Sequence, residues 1–313
     1  MTLILGIICK DAIVLAADSQ TTKGAAKLLG TNKISVVEFA NGNAAVAESG
    51  SASLSNAAIH LFQQMASGRQ VENELDIAKT AEMAIREVVS GITRHLNPNS
   101  PDRERQSLLF EEHNYFELMV AYYFKKKPCI FILKSAFSIP IPIPASSFFA
   151  TSGIASDLAN YILQEHAAPG MEADLASIIA IKTVKDAIDY VEGCGLPIRV
   201  ALIRKPYRKR TYQLMPKKGK VYGEVETESG DIQIYHPEKV KVITKIISTI
   251  EQTGKSFRNK KLHKAFQDQS HAILQKTIKE WNEFRKKYPD LAEETGAKII
   301  EAIGAFDILP DEE

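Results

Sequence analysis

The chain is poor in the residues that mark secreted, metal-bound or membrane proteins. It has only three cysteines in 313 residues, Cys9, Cys129 and Cys194. They are far apart, and two lie in apolar runs, which suits a reducing compartment without a disulfide framework. The seven histidines are scattered, and none sits beside a cysteine pair, so no metal site is expected. No Gly-rich phosphate loop occurs, so neither a bound cofactor nor an ATPase module is expected. Long apolar runs are missing too. The first stops at Lys10-Asp11 and has no basic start, unlike a secretory signal. The longest later one is broken by Lys134, Pro140, Pro142 and Pro144, so no membrane span is expected. The net charge of +1 gives no global field that points to nucleic acid or acidic lipid. No internal repeat is evident, and the default placement is cytoplasmic.

What is present reads as a soluble globular chain, 45% hydrophobic and 25% charged. Its length allows one large domain or two moderate ones. Residues 2–9 and 12–17 read as strands joined at Lys10-Asp11, both apolar enough to be covered on two faces. Residues 33–39 and 44–48 read as a hairpin around Asn41-Gly42-Asn43. A helix follows from about Ser53 to Gly68, with Leu54, Ala58, Leu61 and Met65 at helical spacing. A second helix, about 75–95, carries Leu75, Ala78, Ala81, Ile85, Val88, Val89 and Ile92. Residues 97–113 look like a polar loop. Strands are expected at 116–124 and 129–134, with a turn from Lys125 to Pro128. The alternating Ile-Pro run from Ile139 to Pro144 must be extended. Helices to about Glu165 and over 171–191 follow, then a strand from Pro197 to Ile203. Paired strands separated by paired helices suit two stacked sheets with helices outside better than a βαβ array.

Chemistry-bearing residues gather at the ends of the early strands. Removal of Met1 would expose Thr2 with a free α-amine. A threonine hydroxyl needs a base, and an α-amine titrating near 8 can supply one from the same residue. A lysine nearby would keep that amine neutral, a carboxylate would hold the lysine, and a glycine turn could present an N–H to an oxyanion. Each candidate has an ordinary reading by itself. Thr is common at position 2, and Asp18 suits a strand-end turn. Lys33 suits an edge strand, and Ser49-Gly50-Ser51 suits a turn with a helix cap. Their order makes independence hard to sustain.

That order resembles the start of a proteasome β-type subunit or of the HslV- and Anbu-like bacterial forms. The residues that carry the resemblance are Thr2, the segment Ile13 to Gly24 containing Ala17-Asp18-Ser19-Gln20-Thr21-Thr22, Lys33, and Ser49-Gly50-Ser51-Ala52. The resemblance implies Thr2 as nucleophile, Asp18 and Lys33 as its charge partners, and Gly50 as oxyanion donor. It implies Thr22 as the residue whose backbone pairs with substrate. The Asp18-to-Lys33 interval is one residue shorter than usual in the family, which keeps Lys27 as an alternative. Thr151-Ser152-Gly153 matches a second signature, implying that Ser152 bonds near the Thr2 amine; a helix cap is the other reading. Asp189 falls where the family has a further aspartate. Glu192-Gly193-Cys194 stands where the family has a serine.

The resemblance covers about residues 2–204 and implies a four-layer αββα sandwich of the N-terminal nucleophile hydrolase class. The implied activity is threonine-type peptide hydrolysis; alternatives are a small-amide hydrolase or a silent scaffold subunit. The implied partners are peptide or protein substrates and copies of the same chain in a ring or open ring. Any ATP-dependent unfoldase would be a separate protein. Residues 205–313 form an extension. Its segment from Lys205 to Lys220 holds seven Lys and Arg and no carboxylate. With few interleaved aromatics, it reads as a solvated face or oligomer contact rather than a nucleic-acid surface. Short strands are expected at 220–226 and 231–235, joined by a turn at Glu228 to Asp231. Helical stripes are expected through Val240, Ile243, Ile246, Ile247 and Ile250, from Phe266 to Phe284, and at Ile299, Ile300 and Ile303.

Overall fold

The computed structural model describes residues 2–23, 26–93, 115–136, 140–143, 147–214, 221–229 and 232–252. The chain divides into two compact units, Met1–Tyr235 and His236–Glu313. The expected polar loop at 97–113 and the expected helices beyond residue 252 lie outside the described residues.

The first two apolar runs become β1 (Leu3–Ile8) and β2 (Ala12–Ala17), antiparallel across their short turn. All of β2 and nearly all of β1 is buried, which is why neither strand alternates in polarity. A small hairpin, β3 (Thr21–Lys23) with β4 (Ala26–Leu28), precedes β5 (Ile34–Phe39) and β6 (Gly42–Gly50). Helices α1 (Ala52–Ala66) and α2 (Asp76–Thr93) follow. Next come β7 (Phe116–Phe124), β8 (Lys127–Lys134), β9 (Ile141–Pro142) and β10 (Phe149–Gly153). Helices α3 (Ser156–His166) and α4 (Ala173–Tyr190) lead to β11 (Arg199–Arg204).

Two five-stranded antiparallel sheets result. One has the order β10-β1-β2-β11-β14 and the other β5-β6-β7-β8-β9, where β14 is Ile232–Ile234. Ile4, Ile13 and Leu15 of the first sheet share a buried cluster with Ala45, Ala47, Met119 and Ile130 of the second. Small alanines on β6 suit close approach of the two sheets. A separate cluster joins the other face of the second sheet, through Val46, Leu118, Val120 and Tyr122, to Phe62 of α1 and Ile77 and Ile85 of α2. Helix α4 packs on β1 and β2 of the first sheet. The buried line of α1 runs through Ala58, Ile59, Phe62 and Ala66, with Leu54, Leu61 and Met65 only partly buried beside it. The expected stripe was thus rotated, because alanine seats the helix axis closer to the sheet than leucine does.

Three expectations change. The hairpin turn after β7 is Lys125-Lys126, and Pro128 lies within β8, opposite Tyr123. The basic segment contains a strand, β12 (Tyr207–Leu214), which pairs with β13 (Val221–Ser229) and sets Arg208 opposite Glu228 and Arg210 opposite Glu226. The expected partner of β13, β14, instead pairs with β11, Ala201 opposite Ile234. Sequence adjacency favoured a 220–235 hairpin, but the open edge of β11 offers β14 a full ladder. The first unit therefore runs to Tyr235 rather than ending at residue 204. Tyr235 is buried, its N–H donates to Val200 O at 2.8 Å, and its hydroxyl lies 3.2 Å from Ser177 Oγ. Helix α5 (Pro237–Gln252) begins the second unit, with Val240, Ile243 and Ile247 of the expected stripe buried.

This pairing predicts where the chain can be cut. A chain ending after Tyr235 should melt cooperatively. One ending after Arg204 loses β14 and bares the β11 edge, so its melting midpoint should fall by at least about 5 °C relative to the longer fragment. Equal midpoints in differential scanning calorimetry would refute the role given to β14.

Candidate active site

Thr2 lies immediately before β1 and is buried. Its backbone is fixed on both sides. Leu3 N–H donates to Asp18 Oδ1 at 3.0 Å, and Thr2 O accepts from Ile154 N–H at 2.9 Å. The end of β10 approaches so closely that a Cβ on Gly153 would stand 1.9 Å from Thr2 O, and Gly153 has φ +101°. Only glycine fits both demands.

Asp18 follows β2 and is fully buried. Its carboxylate accepts four hydrogen bonds: Leu3 N–H at 3.0 Å and Lys33 Nζ at 3.1 Å on Oδ1, Gln20 N–H at 2.9 Å and Gly195 N–H at 3.0 Å on Oδ2. Lys33 precedes β5 and is equally sealed. Its Nζ lies 2.5 Å from Thr2 Oγ1, is paired to Asp18 and donates to the Gln20 carbonyl. Burial pulls the Lys33 ammonium below its ordinary range, opposed mainly by Asp18. The chain thus brings Thr2, Asp18 and Lys33 together as expected. Lys27, the alternative lysine, is exposed and paired with Glu192 at 3.3 Å.

Gly50 ends β6 with φ +91°, and a Cβ there would stand 2.4 Å from Tyr115 O. It lines a small cavity together with Thr2, Thr21, Lys33, Glu48 and Ser55. Thr21 borders this space, and Thr22 is the next residue of β3, in register with Lys27. Ser152 sits in β10 opposite Ile4, and its buried hydroxyl has no hydrogen-bond partner.

Asp189 lies near the end of α4, half-exposed, with its carboxylate 2.9 Å from Lys185 Nζ one turn back. An i, i+4 pair on the helix surface holds it there. The segment after α4 reaches the cluster through backbone, by the Gly195 N–H on Asp18. Cys194 is buried there, and desolvation with the nearby Asp18 charge pushes its thiol up to about 12.

Two participants were missed in the sequence. Gln20 contributes through its backbone alone, which no side-chain pattern can reveal. Glu48 is buried at the cavity, and its Oε2 has no hydrogen-bond partner. A carboxylate closing the apolar run Ala44-Ala45-Val46-Ala47 was the available signal. Burial pushes the Glu48 carboxyl above its ordinary range, against the opposing pull of the Ser55 hydroxyl and Lys33.

The two antiparallel sheets and their helices fit a proteasome-like fold, which the solved structures similar to this chain share. The chain is similar to an Anbu (Gly-1) mutant from Hyphomicrobium sp. strain MC1, with 14% identity and TM-score 0.56 over 81% of this chain and 97% of that one. It is similar to the Anbu complex from Pseudomonas aeruginosa solved as a helical assembly, with 14% identity and TM-score 0.56 over 80% and 95%. It also resembles Anbu (ancestral beta-subunit) from Yersinia bercovieri, with 13% identity and TM-score 0.53 over 64% and 81%. No protein-family model matches the chain, and no curated protein matches it. Likeness at such identities shows the fold, so the reaction must be argued from the residues.

A carboxyl held above its ordinary range binds its proton more tightly folded than unfolded. It favours the fold below the ordinary Glu range, and that contribution is lost as pH rises through the raised value. Glu48→Gln should therefore raise the melting temperature at pH 8, by about 2–4 °C for each kcal/mol relieved. The gain should vanish near pH ~4, where the parent Glu48 is protonated. Differential scanning fluorimetry at both pH values decides; a gain equal at both would contradict the charge argument.

Proposed function

We propose that the chain is an N-terminal threonine hydrolase that cleaves peptide bonds on a four-layer αββα framework. The observation that carries this reading is Lys33 Nζ held 2.5 Å from Thr2 Oγ1 and clamped by Asp18 in a buried site. The two buried clusters, one between the sheets and one beneath α1 and α2, support the four-layer arrangement.

The reaction begins once Met1 is removed. The neutral Thr2 α-amine takes the hydroxyl proton as Oγ1 attacks the scissile carbonyl carbon. The Lys33 ammonium sits against Oγ1, lowering its proton affinity and disfavouring protonation of the amine. The Gly50 N–H, in the same cavity, would stabilise the oxyanion. Collapse breaks the C–N bond, and the leaving amine takes the proton from the Thr2 ammonium. Water, with its proton accepted by the amine, then hydrolyses the ester on Oγ1. Ser152, an unpartnered hydroxyl one residue from Gly153, would hydrogen-bond near the new amine in this reading. In this reading Thr22 pairs with substrate through its backbone, and Asp189 serves only as a surface residue. Small-amide hydrolysis by the same machinery is the second reading.

Self-assembly belongs to the proposal, because one similar protein was solved as a helical assembly. No helix among the described residues is long and apolar enough to cross a membrane. We place the chain in the cytoplasm, where an unfoldase would be a separate partner.

Thr2→Ala should lower turnover of a peptide library by at least about a thousandfold while leaving the fold intact, and Thr2→Ser should retain part of it. Lys33→Ala and Asp18→Asn should be comparably severe. An uncleaved tag before Thr2 should silence the unmutated site; equal hydrolysis by the tagged and processed chains would rule out the mechanism. Separately, mass photometry at micromolar concentration should show multiples of the 34.6 kDa chain. A lone monomer peak would defeat the assembly claim.

A further inference from the structure

Glu48 is not used by the chemistry above. It is 3% exposed, borders the Thr2 cavity and has one carboxylate oxygen without a partner. Its cationic neighbour cannot serve it. An ammonium has three N–H donors, and those of Lys33 are committed to Thr2 Oγ1, Asp18 Oδ1 and the Gln20 carbonyl. The Ser55 hydroxyl pulls on the carboxyl, but its single proton is shared with the Ser51 and Ala52 carbonyls of its own helix end and leaves Glu48 Oε2 without a partner. A buried carboxylate left this way is costly unless something else supplies a donor. The free space beside it is the place where a substrate must lie.

We infer that Glu48 is a specificity residue that selects a cationic side chain, lysine or arginine, on the residue whose carbonyl Thr2 attacks. This rests on the threonine-hydrolase reading, because that reading places the attacked carbonyl against Thr2. A side chain on the same residue then enters the cavity that Thr2 and Glu48 share. An ammonium or guanidinium there supplies the missing N–H donors and the missing positive charge. A neutral side chain of equal reach leaves the carboxylate oxygen unpaired, and an acidic one places a second carboxylate against it. Among the described residues no cluster of three metal-ligating groups exists, and one carboxylate does not make a metal site.

The test uses acetyl-tripeptide coumarylamides ending in lysine, norleucine or glutamate. Norleucine keeps the aliphatic stem without the ammonium. The processed full-length chain should prefer lysine over norleucine by about ten- to a hundredfold in kcat/KM, the range of a charge-assisted hydrogen bond in a buried site. In Glu48→Gln the lysine-to-norleucine ratio should collapse toward unity, and in Glu48→Lys glutamate should become the preferred substrate. Ratios within each variant cancel general losses of folding or rate. A second arm measures calorimetric binding of the lysine and norleucine peptide amides to Thr2→Ala and to Thr2→Ala/Glu48→Gln. Turnover without lysine preference, or a ratio unchanged in Glu48→Gln, overturns the inference and leaves the hydrolase reading standing. Absent turnover with Glu48-dependent lysine binding overturns the hydrolase reading and keeps the subsite. Loss of both substrates alike in Glu48→Gln would place Glu48 in the chemistry and overturn the assignment.

Discussion

A carboxylate sealed from water must be surrounded by donors, and Asp18 is the point where this fold meets that demand. Its four N–H partners come from β1, from the segment after β2, from the start of β5 and from the loop before β11. Leu3, Gln20, Lys33 and Gly195 are otherwise distant in sequence. Each bond to a charged group contributes about 1.5–3 kcal/mol, but the constraint matters more than the sum. Removing one partner of a buried ion pair costs about 3–5 kcal/mol, because the remaining charge is left uncompensated. The first sheet cannot shift by a residue without breaking this set, so Asp18 fixes register and site together.

Closeness of backbone completes the arrangement. Gly153 allows β10 to press on Thr2, and Gly50 allows β6 to turn against Tyr115 and Phe116. Both have positive φ, and both would clash if given a Cβ. Thr2 is consequently held by main-chain bonds at Leu3 N–H and Thr2 O. That arrangement would suit the nucleophile role proposed for its side chain.

Much of this was legible in the sequence, for physical reasons that also explain the rest. Apolar runs such as Ile13 to Ala17 announce strands buried on both faces, and Thr2, Asp18, Lys33 and Gly50 announce themselves by standing at strand ends. The shortened interval before Lys33 left Lys27 open, and only distances could decide between them. Asp189 has a local partner in Lys185 at helical spacing, which its position in the sequence does not weigh. The β12–β13 pair was hidden by its charge, since a basic run reads as loop until an acidic strand stands opposite it. The fate of β14 depended on which edge was vacant, a property of the assembled sheet. Glu48 carries no sequence signal of its own beyond its place at the end of an apolar run, next to the Ser49-Gly50 turn.

The distribution of unsatisfied groups gives the last step. The two hydrophobic clusters hold no charged member. Among the described residues, the buried side-chain atoms without partners are Ser19 Oγ, Gln20 Nε2, Thr21 Oγ1, Glu48 Oε2, Ser152 Oγ and Arg199 Nε. All but Arg199 belong to residues beside the Asp18 and Thr2 cluster. Errors of packing would scatter such atoms through the core. Thr21 and Glu48 line the cavity beside Thr2, and a fold tolerates such open polar atoms most readily where another molecule can supply their partners. Asp18 and Lys33 are already saturated, so they organise the site; on the proposed reading, the open valences at Thr21, Glu48 and Ser152 would be filled by a substrate and by the freed α-amine.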